Sequence, residues 1–186
     1  MKKQIQETVL ELIVEKGLKF TVHDIAKRQG ISKRTIYEHF NSKQHIIEMI
    51  VDEAIEEVKQ REQLIFQEKE WSYEQKLKAI LLIVPSGLRF GDTKLLEQMK
   101  RFAPNEWVKI DHLLREEWQT VRQIIELGIQ EGEFRPLNVP SVIQILRGAS
   151  MAVFDPDFHT HASHSLSEAL TTIVDVVLHG MTRRKE

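Results

Sequence analysis

The sequence predicts an all-α fold of about nine helices, in which an N-terminal three-helix helix-turn-helix domain precedes a C-terminal helical bundle. Three observations carry this. Apolar residues recur at three- and four-residue spacing along most of the 186 residues. No segment alternates with period two, and no internal repeat or low-complexity stretch is evident. Within residues 21–43 two short helical patterns meet at a glycine and present basic and hydroxyl side chains beyond it.

The first helix is expected over residues 3–16, with Ile5, Val9, Leu12 and Ile13 on one face. Gly17 stops it and Phe20 closes a small core. The second helix is expected over 22–29, opened by Thr21 and Asp24 in a capping-box spacing, and the third over 33–40, with Ser32 as its N-cap. Ala26 allows the two helices to approach, Gly30 tolerates the turn between them, and Ile36 pins the third helix. Ile25, Ile31 and Phe40 complete that core, which leaves Lys33, Arg34, Thr35, Tyr37, Glu38 and His39 facing outward. A fourth helix, 43–67, is expected to turn Ile46, Ile47, Ile50, Val51, Ala54, Ile55 and Val58 inward and to lead from a first domain, 1–50, into a second, 51–186. The second domain is expected to hold helices over 73–88, 93–101, 105–131, 139–154 and 165–183, the long one ended by Gly132 and Pro136.

Charge is distributed unevenly. Residues 1–50 carry nine Lys or Arg against six Asp or Glu, and residues 51–186 carry seventeen against twenty-two, so a net −2 conceals a basic head and an acidic body. That balance favours DNA at one end and argues against broad, non-specific phosphate neutralisation. Cysteine is absent, which excludes disulfide scaffolds, thiolate metal sites and a Cys nucleophile. The start leads into an amphipathic helix and no run of about 18 apolar residues occurs, so a cytoplasmic protein is expected.

The side chains around the third helix define a candidate DNA surface. Lys33, Arg34 and Thr35 stand where base edges are read, and an arginine can grip guanine in a bidentate manner. Tyr37 and His39 suit phosphate or the groove wall. Thr21 and Lys43 sit at helix starts, where backbone amides favour an anion. Each residue also has a bland reading: a solvated lysine, a packed tyrosine, a histidine at a turn.

The block Thr-Val-His-Asp-Ile-Ala-Lys-Arg-Gln-Gly-Ile-Ser-Lys-Arg-Thr-Ile-Tyr-Glu-His-Phe-Asn-Ser-Lys, residues 21–43, resembles the DNA-binding domain of tetracycline-repressor-like (TetR) transcriptional regulators. Arg34 stands where many members carry Gly. The resemblance implies a ligand-responsive regulator, a repressor by family habit, that pairs its last two helices in a dimeric four-helix bundle. Such a dimer reads a near-palindromic double-stranded DNA operator and is released by a small-molecule effector.

On this reading 51–186 is the effector-binding and dimerisation domain. Ile143, Ala149, Leu170, Val174, Val177 and Met181 form the candidate dimer interface, although apolar stripes at this spacing also serve as core. Arg89, Met99, Phe102, Trp118, Arg147, Met151 and Phe154 are candidates for an effector pocket, with the same reservation for the apolar ones. His159, His161 and His164 lie close to Asp155 and Asp157 and could ligate a divalent cation, which leaves a metal-responsive regulator or a small helical metalloenzyme as alternatives. A polar loop is the preferred account, since converging side chains in a loose connection costs entropy. No catalytic motif or cofactor-binding turn appears, so no enzyme, cofactor or metal centre is expected.

Overall fold

The computed structural model describes residues 1–85, 93–153 and 166–182. Among these lie ten α-helices: α1 (Lys2–Lys16), α2 (Val22–Gln29), α3 (Lys33–Tyr37), α4 (Lys43–Gln67), α5 (Tyr73–Leu81), α6 (Thr93–Phe102), α7 (Pro104–Glu116), α8 (Gln119–Gln130), α9 (Val139–Val153) and α10 (Leu166–Met181). A 3-10 turn, Gly17–Lys19, follows α1. No strand occurs among the described residues, which hold one isolated antiparallel bridge between Phe134 and Thr182. The fold is all-α.

Three of the expected helices differ in the structure, α3 ending at Tyr37 instead of running to 40. Pro85 has no N–H to donate to Leu81 and disfavours helical geometry in the residue before it, so α5 ends at Leu81 instead of running on to 88. The long helix expected over 105–131 is two helices. Trp118 leaves the helical path at φ −110° and ψ 16°, and its indole Nε1–H donates to the Leu114 carbonyl at 2.9 Å. Arg147 of α9 donates to the Arg115 carbonyl at 3.0 Å, so two of the orphan carbonyls at the end of α7 are satisfied by side chains.

The chain divides into two compact units, Met1–Glu57 with Val84–Asp111 and Val58–Ile83 with His112–Glu186. In the first, Ile5, Val9, Leu12, Phe20, Ile25, Ile36, Phe40 and Ile46 are buried as the apolar spacing requires. In the second, Leu77, Ile124, Ile125, Phe134 and Leu146 form the centre of the core. There the chain after α8 turns inward: the Phe134 amide donates to the Gly128 carbonyl at 2.9 Å, and the Arg135 amide to that of Met181 at 3.0 Å. Gly128 is required by packing, since a Cβ on it would lie 2.4 Å from the Phe134 ring.

Arg89 and Phe154, the loop with His159, His161 and His164, and the expected helical extensions at 86–88, 154, 165 and 183 lie outside the described residues.

Candidate nucleic-acid interface

Local chemistry builds the helix-turn-helix. The Thr21 hydroxyl accepts from the Asp24 amide at 3.2 Å, and the Thr21 amide donates to Asp24 Oδ2 at 2.7 Å, closing the capping box that opens α2. Lys16 Nζ lies 2.8 Å from Asp24 Oδ1. The hydrogen bonds from Lys16 and Thr21 hold the Asp24 carboxyl well below the usual carboxylate range. α2 ends at Gly30, which adopts φ 65° and ψ 29°, the left-handed conformation that side chains with a Cβ resist. Ser32 then caps α3, its hydroxyl accepting from the Thr35 amide at 3.0 Å. α3 is shorter than its pattern: the His39 amide bonds to the Ile36 carbonyl three residues back at 3.0 Å, a tightening of the last turn before Phe40 enters the core.

With Ile36 and Phe40 inside, Lys33, Arg34, Tyr37 and Glu38 face outward, and Thr35 is half-buried. Lys33 is exposed, the Arg34 side chain is 90% exposed and Tyr37 is 52% exposed. Arg34 Nε lies 3.3 Å from Glu38 Oε1, one turn on, a contact that leaves the terminal guanidinium nitrogens for an acceptor on another molecule. The Thr35 hydroxyl is 3.0 Å from that of Ser32, and His39 is half-buried at the end of the helix. Arg28 is otherwise engaged: its guanidinium donates to both Glu15 oxygens, at 2.8 and 2.6 Å, which pulls the Glu15 carboxyl down and the guanidinium up.

At the start of α4 the Ser42 hydroxyl accepts from the His45 amide at 3.0 Å, and His45 Nδ1 accepts from the Asn41 amide at 3.2 Å. Lys43 Nζ donates to the Leu18 carbonyl at 2.6 Å and lies 4.4 Å from the centroid of the Phe20 ring. Burial lowers its pKa. The carbonyl and the ring face give a cation in a helix's first turn the local compensation it needs. One of its three protons is used, and two remain.

Sequence reasoning did not find the residues that brace this surface from later in the chain. Gln98 of α6 accepts from the Leu18 amide at 2.6 Å, and Glu106 of α7, only 3% exposed, accepts from Gln44 at 2.6 Å. Lys109 of α7 reaches Asp52 of α4 at 2.6 Å. These partners are 57 to 80 residues apart, and helical periodicity carries no signal for such pairs.

The described candidate pocket residues fall in both units. In the first unit Met99 is buried, while Phe102 is exposed. In the second, Trp118 and Arg147 meet through α7, capping adjacent carbonyls, and Met151 is half-buried. The candidate dimer stripe is largely internal to the second unit: Ile143, Leu170, Val174 and Met181 are buried, Val177 packs partly against the core, and Ala149 is half-buried. The face turned away from that core carries other residues. Ile145 is 60% and Val176 68% exposed, and a Cβ on Gly148 or Gly180 would meet open space. A helix with apolar residues on both faces shows the same spacing whichever face is core, so periodicity alone does not separate the residues of the core from those of the exposed face.

A three-helix unit whose second and third helices are well capped on either side of a left-handed glycine, with basic and aromatic side chains on the third, defines a helix-turn-helix regulator of transcription. Residues 5–50 match the family model of bacterial regulatory proteins, tetR family. Over all 186 residues the chain is 31% identical to YvaF, an uncharacterized HTH-type transcriptional regulator of Bacillus subtilis (strain 168), covering 100% of this chain and 98% of that one. The chain belongs to the tetR family. Its fold is similar to that of a TetR/AcrR family regulator from Thermobifida fusca YX-ER1, with a TM-score of 0.69 and 22% identity over 98% of each chain. It is also similar to FadR from Bacillus subtilis, solved in complex with stearoyl-CoA, with a TM-score of 0.64 and 21% identity over 97% of this chain and 99% of that one. No helix among the described residues is long and apolar enough to cross a membrane.

Proposed function

We propose that this protein is a cytoplasmic transcriptional repressor that binds a near-palindromic operator as a homodimer and leaves it when a small molecule binds the body. The observation that carries the reading is the α3 surface, where Lys33, Arg34 and Tyr37 project from a rigidly capped helix whose other face is buried. In the proposed complex Lys33, Arg34 and Thr35 read base edges, while Tyr37, His39 and Lys43 engage phosphate or the groove wall. Thr21 contributes through its cap, which sets the angle at which α2 enters.

Two exposed stripes support pairing through α9 and α10. Ile145 with Gly148 and Ala152 on α9, and Val176 with Gly180 on α10, give apolar faces whose glycines permit close approach of a second copy. An effector is supported by the stearoyl-CoA bound to FadR, a protein of the same fold. Differential affinity of such a ligand for one body conformation suffices to move the two heads off their half-sites.

The test uses the duplex that the protein enriches from a random pool. Scrambling one half-site should lower affinity by about a thousandfold or more, the range that separates specific from non-specific binding. Equal affinity for the intact and scrambled duplexes would contradict the reading.

A further inference from the structure

We propose that Gln98 of α6 is a positioning residue for Lys43, acting through the backbone of Leu18; the proposal rests on reading Lys43 as a phosphate contact. Leu18 is held at both polar groups. Its N–H donates to Gln98 Oε1 at 2.6 Å, and its carbonyl accepts from Lys43 Nζ at 2.6 Å. It sits in the middle of the three-residue 3-10 turn with its side chain buried, so the orientation of its backbone depends on these outside partners.

Gly17 makes the contact from α6 possible. A Cβ at that position would lie 2.1 Å from Gln98 Oε1, and the glycine's φ of 61° suits no other residue well. On the far side, the Phe20 ring 4.4 Å from Nζ fixes the direction from which the lysine reaches the carbonyl. Without Gln98 a part-buried N–H loses its acceptor, the short turn reorients toward another one, and the Leu18 carbonyl no longer meets Nζ where the first turn of α4 presents it. The backbone of α4 is braced separately by Glu106 through Gln44, so loss of Gln98 displaces the lysine head and leaves the helix in place.

The experiment is a double-mutant cycle on the duplex enriched by the wild-type protein, with affinity measured across a salt series for wild type, Gln98→Met, Lys43→Ala and the double variant. Methionine keeps the length and packing of glutamine and removes the acceptor; Gln98→Ala is the second variant, and thermal melting establishes that each folds. Gln98→Met should weaken binding about fivefold and flatten the salt dependence in the same sense as Lys43→Ala, which removes about 0.9 from its slope for each of the two lysines of the dimer. In the Lys43→Ala background it should have no further effect. Equal losses in both backgrounds, or no loss when Lys43→Ala does weaken binding, would overturn the positioning role. If Lys43→Ala itself leaves affinity and slope unchanged, the phosphate reading of Lys43 fails instead.

Discussion

A guanidinium on the first turn of a recognition helix offers a planar pair of donors, whereas a glycine there offers none. Arg34→Gly is therefore expected to erase about 1–3 kcal/mol of preference for one base pair of each half-site with little change in salt slope. Competition between duplexes differing at that position measures it, and the opposite pattern would reassign Arg34 to phosphate. Asp24 governs a different property. Because hydrogen bonds from Lys16 and Thr21 lower its pKa in the folded protein, its contribution to stability is fully present above the unfolded carboxylate value, about 3.9, and disappears as pH falls through the folded value. Asp24→Asn should therefore lower the melting temperature at pH 7, with the gap from wild type closing below about pH 4. A gap that stays constant across that range would show that the charge is not what Asp24 contributes.

At the level of elements, what was legible in the sequence is what is decided locally. Thr21, Gly30 and Ser32 set their caps and turn from side-chain chemistry within four residues, and these contacts form as their types require. The end of α5 was encoded in Pro85 but masked by the apolar run around it. The break between α7 and α8 carries neither glycine nor proline; it depends on an indole and on a guanidinium from α9, and no local pattern announces either. Gln98 and Glu106 escaped for the same reason, since their partners lie far away in sequence. Gly128 gives the element scale its test. A methyl there must displace the Phe134 ring, so Gly128→Ala should destabilise the second unit by about 1–3 kcal/mol despite the higher helix propensity of alanine, and chemical denaturation measures it. Stabilisation would mean that the ring moves aside without cost.

For the molecule as a whole, the burial of Ile143, Leu170, Val174 and Met181 moves the proposed partner surface to the outer faces of α9 and α10. Val176→Glu should then yield a folded monomer with operator affinity reduced by orders of magnitude, because one head alone reads one half-site. Sedimentation and binding measured together check this, and a variant that stays dimeric would place the interface elsewhere. Two-fold recognition of DNA is the claim on which all the functional assignments depend, and selection of bound sequences from random duplex DNA at a fixed salt concentration tests it most directly. The account predicts enrichment of an inverted repeat with half-sites about one helical turn apart or a multiple of it, roughly 34–36 Å per turn. Enrichment of a single asymmetric site, or of none by a folded dimer, would contradict it.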